Sequence, residues 1–128
     1  MFKIDDKMNI EINRGDIATM EVKSIDEDTG EQYVFKSGDV VRFTVCEKDN
    51  YKKPVLIKDV PVMGETTVVD IVFSMEDTRF APVLNKEKVY YYTVELNPDT
   101  AQQTLIGHDK KGAKLITVYP EGGDRIEP

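Results

Sequence analysis

The sequence predicts an all-β sandwich of about seven to nine antiparallel strands. Three observations predict it. Apolar residues recur with a period of two, the alternating runs are rich in Val, Ile, Thr, Tyr and Phe, and short segments bearing Gly, Asn, Asp or Pro separate them. No stretch carries the 3.6-residue period of a long amphipathic helix.

Successive side chains on a strand point to opposite faces, so each run has one apolar and one mixed face. In chain order, residues 9–12 form a short candidate. In IATMEVKSI, Ala18, Met20 and Val22 alternate with Thr19, Glu21 and Lys23. Residues 33–35 form another short candidate. In VVRFTVCEK, Val41, Phe43 and Val45 alternate with Arg42, Thr44 and Cys46. After residues 55–60, TTVVDIVF sets Val69, Ile71 and Phe73 opposite Thr66, Val68 and Asp70. VYYYTVEL sets Tyr90, Tyr92, Val94 and Leu96 opposite Thr93 and Glu95. Residues 103–106 and 114–119 complete the set. The separators DEDTGEQ, KSGD, KDNYKKP, MGE, NPDTAQ and HDKKGA supply turn chemistry. One helical turn is expected at SMEDTRF, where Ser74 can cap a first turn carrying Glu76 and Asp77 and cross between sheets. The expected core comprises Met20, Val22, Val41, Phe43, Val45, Val69, Ile71, Phe73, Tyr90, Tyr92, Val94, Ile116 and Val118. Residues 1–119 are expected to form this single domain, with 120–128 a flexible C-terminal tail.

The chain has 128 residues, 40% hydrophobic and 32% charged, enough to bury a core. Its formal charge of −7 argues against nucleic-acid binding and against adhesion to an anionic membrane. Asp5 and Asp6 interrupt any leader-like apolar run, and no stretch is long enough to span a bilayer. Synthesis in the cytoplasm is therefore expected, with departure only in an assembled particle. Cys46 is the one cysteine, so packing rather than a disulfide must hold the fold.

Four features invite a chemical reading. Arg14-Gly15-Asp16 has the composition of an integrin-binding tripeptide, against a plain turn into the next strand. Asp26, Glu27, Asp28 and Glu31 surround Gly30, and Asp26 and Asp28 are the candidate calcium ligands. An EF-hand loop, however, places glycine sixth and glutamate twelfth; here the glycine is fifth and Ser37 is twelfth, so a solvated hairpin loop is expected. His108, the sole histidine, stands beside Asp109 without a recognisable nucleophile partner, and Cys46 lies on a mixed face. No zinc, phosphate-loop, hydrolase or dinucleotide motif occurs. In Tyr90-Tyr91-Tyr92 the alternation sends Tyr90 and Tyr92 to the core and leaves Tyr91 outside as a contact residue. Lys52-Lys53 and Lys110-Lys111 are expected to be solvated loop tips.

The order of segments resembles small phage and prophage proteins of Firmicutes related to the N-terminal domain of phage baseplate upper proteins. The segments carrying the resemblance are INRGDIATMEV, FKSGDVVRFTVCEK, SMEDTRF, KVYYYTVELN and the closing QTLIG with KLITVYPEGG. The segment around His108 and Lys110-Lys111 is longer than that family's final hairpin, which marks it as a place where specific contacts could be added. The resemblance implies an immunoglobulin-like sandwich acting as a structural or docking module of a phage tail or baseplate. It implies self-association or binding to other phage structural proteins, and it supplies no catalytic residues. A non-enzymatic assembly role without cofactor is therefore expected, with Tyr91 and His108 as partner contacts and a glycan-binding module, calcium-assisted through Asp26 and Asp28, as the alternative.

Overall fold

A computed structural model describes residues 1–26 and 28–122. The elements run β1 (Phe2–Ile4), β2 (Ile10–Asn13), β3 (Ala18–Val22), β4 (Val40–Glu47), β5 (Pro54–Pro61), β6 (Val69–Phe73), α1 (Met75–Thr78), β7 (Lys88–Leu96), β8 (Gln103–Ile106) and β9 (Leu115–Tyr119). The protein is an all-β sandwich with unequal layers. A seven-stranded sheet has the order β1-β2-β9-β7-β4-β5 with β8 added to β7, while β3 and β6 pair alone. β9 and β8 share one edge of β7, β9 along Lys88–Tyr91 and β8 along Val94–Leu96, so the chain between them loops out from the sheet.

The layers meet through the alternation that the sequence displays. Every side chain assigned above to the core is buried. Phe43, on β4, lies edge-on against Phe73 of the small sheet at 4.9 Å and stacks on Tyr92 of its own sheet at 5.3 Å. Two strands cannot cover seven, and connecting segments supply the rest: Phe35, Val62, Ala81 and Leu84 are buried without belonging to any strand that faces them. α1 forms as expected. The Ser74 side chain accepts from the Asp77 N–H while the Asp77 carboxylate accepts from the Ser74 N–H, and Lys58 of β5 donates to Asp77 at 2.8 Å.

Four features depart from expectation. β2 pairs with β9 in parallel, although the other pairs are antiparallel; a period of two reports which face a residue occupies and is silent on strand direction. Residues 33–35 form a single bridge, Phe35 to Thr66, because the turn at Lys36–Asp39 follows at once, with Gly38 at φ +98. β1 is a strand too short and charged for periodicity to reveal. Cys46 occupies an outward position yet is buried, at a bulge beside Val45.

Hydrogen-bonded locks close both ends. At one, buried Asp39 accepts from the Tyr33 hydroxyl at 2.9 Å, the Lys36 N–H at 3.1 Å and the Asn97 side chain at 3.1 Å. Burial alone would push the Asp39 carboxyl up; the donors outweigh it and hold it below its ordinary value. At the other, the Arg14 Nε donates to Ala81 O at 2.9 Å and Arg79 pairs with Glu121 at 3.0 Å. Gly15 sits there at φ +86, where a Cβ would run into the Glu121 carboxylate. Arg14-Gly15-Asp16 is thus a turn whose arginine is engaged inside the fold. Pro120–Gly122 belong to the described chain, and residues 123–128 of the expected tail lie outside it.

Phe43→Ala is expected to cost about 3–5 kcal/mol, read by denaturant unfolding, since it opens a cavity between the two layers. Asp39 has a depressed folded pKa, so its contribution is complete above the ordinary value of 3.8 and is lost as pH falls through the lower folded value. Asp39→Asn should therefore cost about 1–3 kcal/mol near neutrality and flatten the acid limb of the stability curve. An unchanged acid limb in that variant would contradict the assignment.

Candidate functional site

The outer face of the large sheet brings together three of the residues singled out by the sequence, Tyr91, His108 and Cys46. Tyr91 alternates with buried Tyr90 and Tyr92 and so projects outward, in register with Cys46 on β4 and Leu115 on β9. The β4–β5 loop returns Tyr51 over this strip, its ring 5.2 Å from that of Tyr91. The β8–β9 loop brings His108 to the same ring, with Nδ1 3.5 Å from the Tyr51 hydroxyl. Tyr91 and His108 are thus brought together by Tyr51, which sequence reasoning missed. The available signal was a lone aromatic among the charges of KDNYKKP, where solvation alone would favour a polar residue.

Both loops are internally braced. In the first, Asp49 adopts φ +66, and its carboxylate accepts from the Tyr91 hydroxyl at 2.5 Å. That bond to a carboxylate raises the Tyr91 pKa, with desolvation adding in the same sense. Asn50 N–H donates to Glu47 O, and Lys53 N–H to Asn50 O. In the second, Asp109 and Gly112 form a bridge with Gly112 at φ +102, and the Lys114 ammonium bonds Asp109 at 2.9 Å. That ammonium, followed by the Lys111 N–H, holds the Asp109 carboxyl below its ordinary value. The loop leaves β8 through Gly107, where a Cβ would stand 2.7 Å from the Thr104 methyl.

The electrostatics of this face run against those of the chain. Lys48, Lys52, Lys53, Lys110 and Lys111 are exposed on the two loops, and none forms an ion pair among the described residues. The acidic groups beside them are engaged: Asp49 with Tyr91, Asp109 with Lys114, and Glu47 with Lys88 at 3.5 Å. An acidic protein therefore presents a locally cationic, aromatic surface.

Burial pushes the Cys46 thiol up, the Glu47 charge adds to the effect, and the thiol lies 3.8 Å from the Tyr91 carbonyl as a weak donor. A trough over β1, β2 and β9, lined by Lys3, Asp5, Asn9, Glu11, Leu115 and Thr117, brings together neither histidine nor cysteine. Among the described residues no three His, Cys, Asp or Glu side chains are placed to hold a metal. Asp26 and Asp28 stand in a loop closed by its own bonds. One Asp26 oxygen accepts from the N–H groups of Asp28 and Thr29, and Gly30 is left-handed at φ +74. Glu27 lies outside the described residues. No helix among the described residues is long and apolar enough to cross a membrane.

Comparison with family models, with curated proteins and with solved structures found no match for the chain.

Cys46 should react with an aromatic disulfide reagent at least about 100-fold more slowly in the native chain than in denaturant, because both access and thiolate formation are suppressed. Rapid native labelling, followed by absorbance, would show that the strip beneath Tyr51 is open.

Proposed function

We propose that the chain is a non-enzymatic docking module of the phage or prophage tail and baseplate kind, associating with neighbouring structural proteins and carried into an assembled particle. The observation that carries this reading is the braced Tyr51–Tyr91–His108 surface, held out to solvent on a sandwich whose inner faces are fully spent on the core. Tyrosine is among the residues enriched in protein interfaces, where polar groups form the rim.

The strand pairings support the immunoglobulin-like reading. In chain order β3 and β6 stand where strands B and E pair in that fold, while β4, β5, β7 and β9 stand as C, C′, F and G of the facing sheet. Such sandwiches present loops at two ends and a sheet face for recognition, and need no chemistry of their own. The buried, protonated state favoured for Cys46 supports a binding rather than a catalytic role.

A glycan reading draws on the same rings, since Tyr51 is 44% exposed and offers a face for a sugar. Calcium assistance has less in its favour, because Asp26 is occupied by its own loop.

Co-expression with defined tail and baseplate components is the test. Capture of one of them is expected, and Tyr51→Ala with Tyr91→Ala should weaken it at least about tenfold without changing the circular dichroism spectrum. Failure to bind any such component, together with a positive glycan array insensitive to chelator, would replace this reading with the second one.

A further inference from the structure

We infer that the lysine-flanked aromatic surface receives the outer face of β3 and β6 of a second copy of this chain, so that copies stack head to tail. This rests on the docking reading and names one partner for the same surface.

On the small sheet Met20, Val22, Val69 and Ile71 face the core, so Glu21 and Asp70 project outward, and they stand directly opposite each other in register. Like charges opposite one another across a strand pair repel. Among the described residues neither carboxylate has a cationic partner, and Lys23, just past the end of β3, pairs with neither. Among the described residues, therefore, one layer carries an acidic pair without a cationic partner and the other carries five lysines without an ion pair around an aromatic cluster. Each is what the other lacks. Isolated from one another within the monomer, the two sets of charges can meet only between molecules.

Geometry sets the kind of assembly. Tyr91 points out of the large sheet and Glu21 and Asp70 out of the small one, on opposite sides of the sandwich. A contact joining unlike surfaces is heterologous and leaves one surface of each sort free at the ends, so it propagates rather than closing on a pair. The formal charge of −7 opposes approach at long range. At physiological salt that repulsion is screened beyond about 8 Å, while direct contacts persist.

Sedimentation velocity on the full chain at about 0.1 M salt tests this. Wild-type protein should grow past two chains as concentration rises to the millimolar range, and should revert to monomer at about tenfold higher salt. Lys52→Glu with Lys53→Glu, and separately Glu21→Lys with Asp70→Lys, should each stay monomeric. Mixed one to one, they should associate again, because the lysine surface of one fits the acidic pair of the other and the two reversed surfaces are also opposite in sign. Should the lysine variant of the small sheet misfold, Glu21→Gln with Asp70→Asn leaves the same prediction open to refutation, with association weakened at least about tenfold. A folded Lys52→Glu, Lys53→Glu chain that associates like wild type, or folded swap variants that fail to pair, would overturn the inference. A wild-type chain that stays monomeric yet captures a tail component also overturns it and leaves the docking proposal standing. Stacking without any such capture does the reverse.

Discussion

The structure depends on how two strands cover a sheet of seven. Phe43 is where the cover is made, its ring wedged between Phe73 of the small layer and Tyr92 of its own. Beyond the reach of β3 and β6 the large sheet would show its apolar face to water, and the connecting segments are drawn in to prevent it. Phe35 and Val62 close one region, while Ala81 and Leu84 close another. Segments that would elsewhere be free loops thus become walls of the core.

Once drawn in, their polar backbone must be satisfied, which explains the locks at the two ends. Asp39 gathers the Tyr33 hydroxyl, the Lys36 N–H and the Asn97 amide, and Asn97 in turn accepts from the Val40 N–H. Tyr92, buried and with its hydroxyl pKa pushed up by burial, donates to Met8 O and anchors a residue that sits at φ +67. The Arg14 turn holds the segment leading to β7 through Ala81 O. Polar groups that look like site chemistry in the sequence are here spent on closing the sandwich.

What remains outside is correspondingly simple. The outer face of the large sheet is polar along much of its area, as at Arg42, which bonds both Asp59 and Asp99. Its aromatic and lysine-rich part lies where the β4–β5 and β8–β9 loops meet. Local bonds brace both loops, Asp49 and Asn50 in the first and Asp109 in the second. Loops already bonded in place have less freedom to lose on binding, which is the property a docking element needs.

The alternation of Val41, Phe43 and Val45 or of Tyr90, Tyr92 and Val94 could be read residue by residue, because a strand repeats every two residues whatever it packs against. The Ser74 cap and the hairpin loop around Gly30 were legible for the same reason, each depending on neighbours within a few positions. The direction of β2 against β9, the burial of Cys46 and the bridge at Phe35 were not, since each needs a partner far along the chain. The meeting of Tyr51 with His108 is of that kind, two loop residues 57 positions apart joined only by the way the sheet is wound. By itself, then, the sequence determined the longer strands, their buried faces and the turns between them, all short-range matters of sterics and hydrophobicity. Only the tertiary structure decided which loops touch and which charges are left without partners, because those follow from the order of strands in the sheets.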